Sequence, residues 1–187
     1  MGDAKERLFI GVPLHEALAQ HVRDAQAQLP KSRGLRLLGE GQWHFTIAFL
    51  GAVDEATRDA VRGIVEAFPA DMGGHGSLGG FLMLPSASRA RVVALDVDDS
   101  SRVFADLYER VMSSLEEAGT MERERRPYRP HLTIARLHMP APVRPRADVV
   151  GVDLAVESLC LYRSELKRSG AEYTVVACRQ LHDPETR

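Results

Sequence analysis

Apolar positions along the chain follow two periods in turn. Arg7-Leu8-Phe9-Ile10-Gly11-Val12 predicts a first strand, and Pro13 then opens a helix whose Leu14, Leu18, Val22, Ala25 and Leu29 recur at helical spacing until Pro30 ends it. Lys31 to Gln42, with Gly34, Gly39 and Gly41, reads as a loop leading into a strand from Trp43 to Leu50. Asp54 is placed to cap a second helix with Ala60, Val61, Ile64, Val65 and Phe68 along one side. Met72-Gly73-Gly74-His75-Gly76 looks like a hinge. Two strands are expected after it, around Leu78 to Leu84 and at Arg91 to Val97, separated by the polar Ser86-Ala87-Ser88-Arg89.

The order of elements then starts again. Val92 to Val97 takes the part of Leu8 to Val12, and a helix from about Ser101 to Ala118, with Val103, Leu107, Val111 and Leu115 inward, takes that of the first helix. Leu159-Cys160-Leu161-Tyr162-Arg163-Ser164 resembles Phe81-Leu82-Met83-Leu84-Pro85-Ser86, and Tyr173 to Cys178 makes a last strand. The pattern predicts an internal duplication within one bilobal domain spanning 1–187, its halves approximately 7–90 and 91–181 and its lobes intertwined about an approximate two-fold axis.

One short pattern occurs at equivalent places of the repeat: His44-Phe45-Thr46-Ile47-Ala48 and His131-Leu132-Thr133-Ile134-Ala135. Side chains alternate faces along a strand, so within each copy the histidine and threonine project together. Phe45, Ile47 and Phe49 supply an apolar face to the first copy, as Leu132 and Ile134 do to the second. Two such strands side by side bring two imidazoles and two hydroxyls into one cleft, a set suited to a phosphate ester. A single His-x-Thr is a common triplet, but two copies, each followed by Ile-Ala in a repeat, argue against accident. Preserved packing with both histidines satisfied in a core is the competing reading; the alternation opposes it, because the histidine faces are left for something polar.

Composition narrows the setting. The 187 residues are 44% hydrophobic and 27% charged, as in an ordinary globular protein. A net charge of −2 argues against a protein that coats nucleic acid, so any RNA contact should be short. Met1 to Arg7 lacks a signal peptide's apolar core and no apolar run approaches a membrane span, which leaves a cytoplasmic location by default. Cys160 and Cys178 read as buried thiols in a reducing compartment. Threonines are poor metal ligands and no carboxylate sits at motif spacing, so neither a metal nor a cofactor is expected. His15, His21, His75, His138 and His182 read as surface residues. Glu122-Arg123-Glu124-Arg125-Arg126 reads as a solvated loop. Tyr128 and Trp43 could stack on a base or serve as core aromatics, the core reading being favoured for Trp43.

His44-Phe45-Thr46-Ile47-Ala48-Phe49-Leu50-Gly51 and Arg126-Pro127-Tyr128-Arg129-Pro130-His131-Leu132-Thr133-Ile134-Ala135-Arg136 resemble the paired motifs of the 2H phosphoesterase superfamily, with RNA 2′,3′-cyclic phosphodiesterases, also called 2′-5′ RNA ligases, as the nearest match. The resemblance extends over nearly the whole chain. It implies an α+β fold of bilobal, duplicated β-α-β units, with antiparallel sheets lining a central cleft and helices outside. It also implies RNA ends or small nucleotide cyclic phosphates as partners; neither membrane nor metal is expected beside them, and a monomer is expected. By similarity His44 is the proton donor to the leaving 3′ oxygen and His131 the acceptor that activates water, giving a 2′-phosphomonoester. Thr46 and Thr133 would donate to the non-bridging oxygens. Arg136 is carried over as a phosphate contact, although strict alternation puts it on the Leu132 and Ile134 face, so it can help only if the strand twists, bulges or ends there. Two histidine titrations imply a bell-shaped pH dependence. Ligation by the reverse reaction and a non-catalytic phosphate-binding protein are the alternatives; intact histidines and threonines disfavour the latter.

Overall fold

The computed structural model of the protein describes residues 5–123, 126–167 and 170–184. Along the chain run β1 (Glu6–Pro13), α1 (Ala19–Ala27), β2 (Leu35–Leu37), β3 (His44–Val53), α2 (Glu55–Glu66), β4 (Gly74–Leu84), β5 (Ala90–Asp98), α3 (Val103–Glu117), β6 (His131–Ala141), β7 (Val152–Val156), β8 (Ser158–Lys167) and β9 (Gly170–Gln180). The strands form one curled antiparallel sheet in the order β7-β4-β5-β6-β3-β1-β8-β9, with β2 joining β6 off this path. The class is α+β, as the resemblance implies. From the central pair the order reads outward alike on both sides: β6 lies beside β5 and β4 on one, β3 beside β1 and β8 on the other.

Local chemistry accounts for the helices. The Asp54 carboxylate accepts a hydrogen bond from Thr57 N at 2.8 Å and starts α2, whose Val61 and Val65 are buried with Phe68 just beyond, while Ala60 faces solvent. Helix α3 is capped from a distance: Asp99 accepts from the backbone of Phe104 at 3.0 Å and Ala105 at 2.8 Å. Its Phe104, Leu107, Val111 and Leu115 are fully buried, and Phe104 meets Phe45 of β3 at 5.1 Å between ring centroids. Burying one such side chain contributes roughly 1.5–3 kcal/mol, which fixes α3 beneath the centre of the sheet.

Several expectations are corrected. Pro13 closes β1 instead of opening a helix; a short 3₁₀ turn at Glu16–Leu18 intervenes, and α1 ends at Ala27, three residues before Pro30. The expected loop from Lys31 to Gln42 contains β2 and a 3₁₀ turn at Glu40–Gln42. The glycine run at 73–76 is not a hinge: Gly74 to Gly76 begin β4, and a Cβ at Gly73 would come within 2.7 Å of the His182 backbone, so the glycine permits close chain passage. Strand β7 was not anticipated. Cys160 and Cys178 are not free thiols: they face one another across β8 and β9 and are joined in a disulfide, with Cys160 buried and Cys178 exposed. His21 is part-buried, its Nε2 without a hydrogen-bond partner, whereas His15, His75, His138 and His182 are exposed. No helix among the described residues is long and apolar enough to cross a membrane.

Candidate active site

The two His-x-Thr strands meet at the centre of the sheet. Strands β3 and β6 are antiparallel and share one residue pair, Phe45 with Leu132, both fully buried. One step to either side, this register sets His44 across from Thr133 and Thr46 across from His131. The histidines are then diagonal neighbours, roughly 7–8 Å apart in such a ladder. That spacing leaves room for a phosphate between the rings.

Each motif contains a bulge at the same place. On β3, Gly11 of β1 pairs with Thr46 and Ile10 with Ala48, so Ile47 is the extra residue; on β6, Ala94 of β5 pairs with Thr133 and Val93 with Ala135, so Ile134 is. In both copies the isoleucine and the alanine after it are buried together, and the alternation flips. Arg136 therefore emerges exposed on the same side as His131 and Thr133, where strict alternation would have hidden it. The same flip corrects the reading of Phe49: it leaves the apolar face of Phe45 and Ile47 and stands 47% exposed on the histidine side. The second bulge is held by its carbonyl, since Ile134 O accepts from Leu38 N at 2.9 Å and from the Gln26 side chain at 2.9 Å. The same Gln26 amide also donates to Leu38 O at 2.8 Å.

The imidazoles are oriented alike. His44 Nδ1 lies 2.9 Å from Gln42 O and His131 Nδ1 lies 2.8 Å from Arg129 O, each carbonyl two residues before its histidine. A carbonyl only accepts, so Nδ1 carries the proton and Nε2 is left to exchange one with a ligand. Both carbonyls are anchored. The Gln42 side chain donates to Ala171 O at 2.7 Å, and Arg129 makes a two-pronged contact with Asp96, at 2.5 and 3.3 Å.

Their surroundings differ. His44 is packed by Phe9 at 4.5 Å between centroids, by the edge of Tyr173 at 5.0 Å and by Tyr162 at 6.2 Å. This burial, with the positive charges of Arg136 and His131 nearby, pushes its pKa down to about 4 in spite of the Gln42 hydrogen bond. No aromatic ring packs His131 in this way among the described residues. Gly11 gives His44 its space: a Cβ there would lie 2.8 Å from Phe45 O and 3.5 Å from the His44 ring.

Beside Thr46 and His131 opens a cavity of about 380 Å³, lined by Ile47, Ala48 and Phe49, by Tyr108 and Met112 of α3, and by Arg126, Tyr128 and Arg129. Tyr128 stacks on Tyr108 at 4.4 Å and donates its hydroxyl to Thr46 O at 3.2 Å; burial raises its phenol above the ordinary range, so it stays a donor. Trp43 is 6% exposed and donates to Leu38 O, so it is a core residue. Arg123 pairs with Glu109 and Glu116 and lies over the Tyr108 ring at 5.8 Å, and Glu124 and Arg125 lie outside the described residues. No group of three or more metal-ligating side chains occurs among the described residues.

The structure thus gathers His44, Thr46, His131, Thr133 and Arg136 on one side of the sheet. Sequence reasoning missed Phe49, Gly11, Gln26, Gln42 and Asp96. Only Phe49 had a usable signal, its place five residues after His44 matching that of Arg136 after His131.

The chain is similar to known proteins over nearly its whole length. An RNA 2′,3′-cyclic phosphodiesterase from Methanothermobacter thermautotrophicus is 30% identical over 186 residues, covering 91% of this chain and 96% of that protein. One from Thermus thermophilus is 30% identical over 182 residues, covering 91% and 87%. The crystal structure of TT0787 of Thermus thermophilus superposes with a TM-score of 0.79 at 28% identity, covering 95% of this chain and 99% of that one. The family described as the 2′-5′ RNA ligase superfamily matches residues 13–168, and the chain belongs to it.

Proposed function

We propose that the protein hydrolyses RNA ends carrying a 2′,3′-cyclic phosphate to 2′-phosphomonoesters, with His44 and His131 as acid and base. The carrying observation is the matched pair of Nδ1-to-carbonyl hydrogen bonds, which leaves both Nε2 atoms for proton exchange on one face of the sheet. The kinship with named cyclic phosphodiesterases supports the choice of substrate.

In this scheme His131 Nε2 takes a proton from water as the water oxygen bonds to phosphorus. The bond from phosphorus to the 3′ oxygen breaks, and the protonated His44 Nε2 supplies the departing oxygen with its proton. The hydroxyls of Thr46 and Thr133 donate to the non-bridging oxygens, where negative charge grows, and Arg136 offsets that charge. Both proton transfers are served by imidazole, so no metal takes part. Each transfer contributes about 10²- to 10⁴-fold.

With the cleft empty His44 is neutral at pH 7, so its proton arrives with the anionic substrate, whose charge counters that of Arg136. One reading reverses the roles, with the neutral His44 as base; its lowered pKa favours that. A substrate with sulfur in place of the bridging 3′ oxygen separates the two, because a thiolate departs without needing a proton. With His44 as acid, His44→Ala recovers most of its rate on that substrate and His131→Ala does not; with the roles reversed, His131→Ala is the variant that recovers.

The deciding assay offers a short RNA ending in 2′,3′-cyclic phosphate to wild type, His44→Ala and His131→Ala with a chelator present. Wild type should yield a 2′-phosphate end, and each variant should lose at least 10²-fold in rate. Full activity in either variant, or its loss on chelation, would overturn the mechanism. We propose further that residues 7–90 and 91–181 are duplicated halves, a reading supported by the equivalent bulges in the two motifs.

A further inference from the structure

The two histidines are held by different parts of the sheet. Asp96, which fixes Arg129 and with it the carbonyl before His131, lies on β5 in the interior of the strand order. His44 is held from the β8–β9 hairpin. Tyr162 of β8 and Tyr173 of β9 pack against its ring at 6.2 and 5.0 Å between centroids. Ala171, near the start of β9, accepts from the side chain of Gln42, whose backbone carbonyl receives the hydrogen bond of His44 Nδ1. Strand β9 is the last in the sheet and pairs there with β8 alone.

The covalent tie between these two strands lies in the same wall. Cys160 is opposite Cys178 on one side and opposite Gly11 on the other, the glycine that leaves room for the His44 ring. It is buried in one cluster with Phe9 and Tyr162, against which Tyr173 packs, and Phe9 also stacks on Tyr162 at 4.9 Å. Cys178 is exposed, so one sulfur of the pair is open to exchange with a thiol in solution. Two thiols cannot stay at bonding distance, so the sulfurs must part once the bond is broken. Cys160 has no space to retreat into, closed in as it is by Phe9 and Tyr162. The edge strand takes up the movement, and β9 carries Tyr173 and Ala171 with it.

We propose that the Cys160–Cys178 bond is a thiol-exchange site that sets the hold of the β8–β9 hairpin on His44 and so makes turnover depend on the redox state of the protein. The reductant is a dithiol. One of its sulfurs, as thiolate, attacks the exposed Cys178 sulfur; the bond to Cys160 breaks, and Cys160 leaves with the electron pair and takes a proton. The second sulfur of the dithiol then displaces Cys178, which is protonated in turn. Two electrons and two protons have passed to the cysteine pair, and the reductant ends as a disulfide. With the bond closed His44 is desolvated and titrates at about 4; with it open, water reaches the ring from the β9 side and the titration moves toward 6.5. Arg136 and His131, the charges acting on His44, lie on β6 outside the hairpin, so one histidine responds and the other does not. The effect on turnover rests on the reading of His44 as a proton-transferring group; the change in its surroundings does not.

The test follows the ring protons of His44 and His131 by nuclear magnetic resonance in the full chain between pH 8 and pH 4, oxidised and after dithiothreitol. His44 should titrate about one pH unit or more higher in the reduced protein, and His131 should give the same curve in both. Cys178→Ser should match the reduced form with or without dithiothreitol. A thiol count in denaturant should rise from none to both cysteines on reduction. On a short RNA ending in 2′,3′-cyclic phosphate at pH 7, reduction should lower kcat about tenfold and reoxidation should restore it, because a misplaced proton-transferring group costs at least that much. Thiols that resist oxidation, a His44 curve indifferent to dithiothreitol, equal shifts of both histidines, or an active enzyme whose kcat ignores reduction would each overturn the proposal. If neither form hydrolyses the RNA while His44 alone follows the bond, the proposed reaction falls and the redox-linked hold on His44 stands.

Discussion

Phe49 and Arg136 occupy the same place in the two halves of the cleft. Each stands five residues after its motif histidine, and each is turned onto the histidine's side by a bulged isoleucine. One copy of the frame thus presents an aromatic face and the other a cation. Near-symmetric strands acquire a direction from this difference, since a nucleotide is itself an aromatic base at one end and an anion at the other. Arg7 lies over the Phe49 ring at 5.5 Å and steadies it.

Phe49→Ala is expected to raise KM for a nucleoside cyclic phosphate about tenfold and to change kcat little, as base stacking contributes about 1–3 kcal/mol. Arg136→Ala should lower kcat as well, because charge grows on the phosphate during reaction. Steady-state kinetics on the two variants checks the split, and equal effects on both parameters in both variants would refute it.

Acid should weaken the protein through His44. Unfolded, this imidazole takes its proton near pH 6.5; folded, it does so only near pH 4. Between these values the unfolded chain binds the extra proton, so stability falls as pH drops from 6.5 to 4, by on the order of 3 kcal/mol for this group. Denaturant titrations across that window should show a steeper decline for wild type than for His44→Asn. Parallel curves would mean that the imidazole is not desolvated.

Gly11→Ala places a methyl group against the Phe45 carbonyl, at a contact of 2.8 Å with backbone that cannot swing aside. The strands must part, and overpacking of this kind costs about 1–3 kcal/mol. The displaced carbonyl belongs to the residue between His44 and Thr46, so kcat should drop with Tm. A variant as stable and as active as wild type would contradict the geometry.

Gln26→Leu removes the side-chain donor to Ile134 O and Leu38 O and should destabilise by about 1–2 kcal/mol. It should also lower kcat/KM by relaxing the bulge that presents Arg136. In a double-mutant cycle with Arg136→Ala the kinetic losses should combine to less than their sum. Strict additivity would separate Gln26 from the arginine.

Strands whose apolar residues alternate, and helices with an apolar stripe, were legible in the sequence because burial writes its period into the residues. Strand β2 was not: it is three residues long, two of them exposed, and it exists through its pairing with β6, a partner about a hundred residues away. Strict alternation assigns Phe49 and Arg136 to the wrong face for one shared reason. A bulge adds a residue to one strand relative to its neighbour, and a single strand's sequence does not reveal the neighbour's count. The Nδ1 hydrogen bonds were illegible in another way, since they run to backbone carbonyls and demand no particular side chain at Gln42 or Arg129.

Strands β3 and β6 touch through one backbone pair, whereas each is bound to its other neighbour along most of its length. The two ladders therefore meet at the site along a narrow line, with β2, Leu38 and Gln26 tying the β3 side to β6 further out. The gap between the imidazoles is set across the Phe45–Leu132 pair, while the outer ladders hold the rest of each strand. Fit to the reacting phosphate is thus governed by how Phe45 and Leu132 seat in the core beneath, so an added or lost methylene there would retune the chemistry without touching a single polar group.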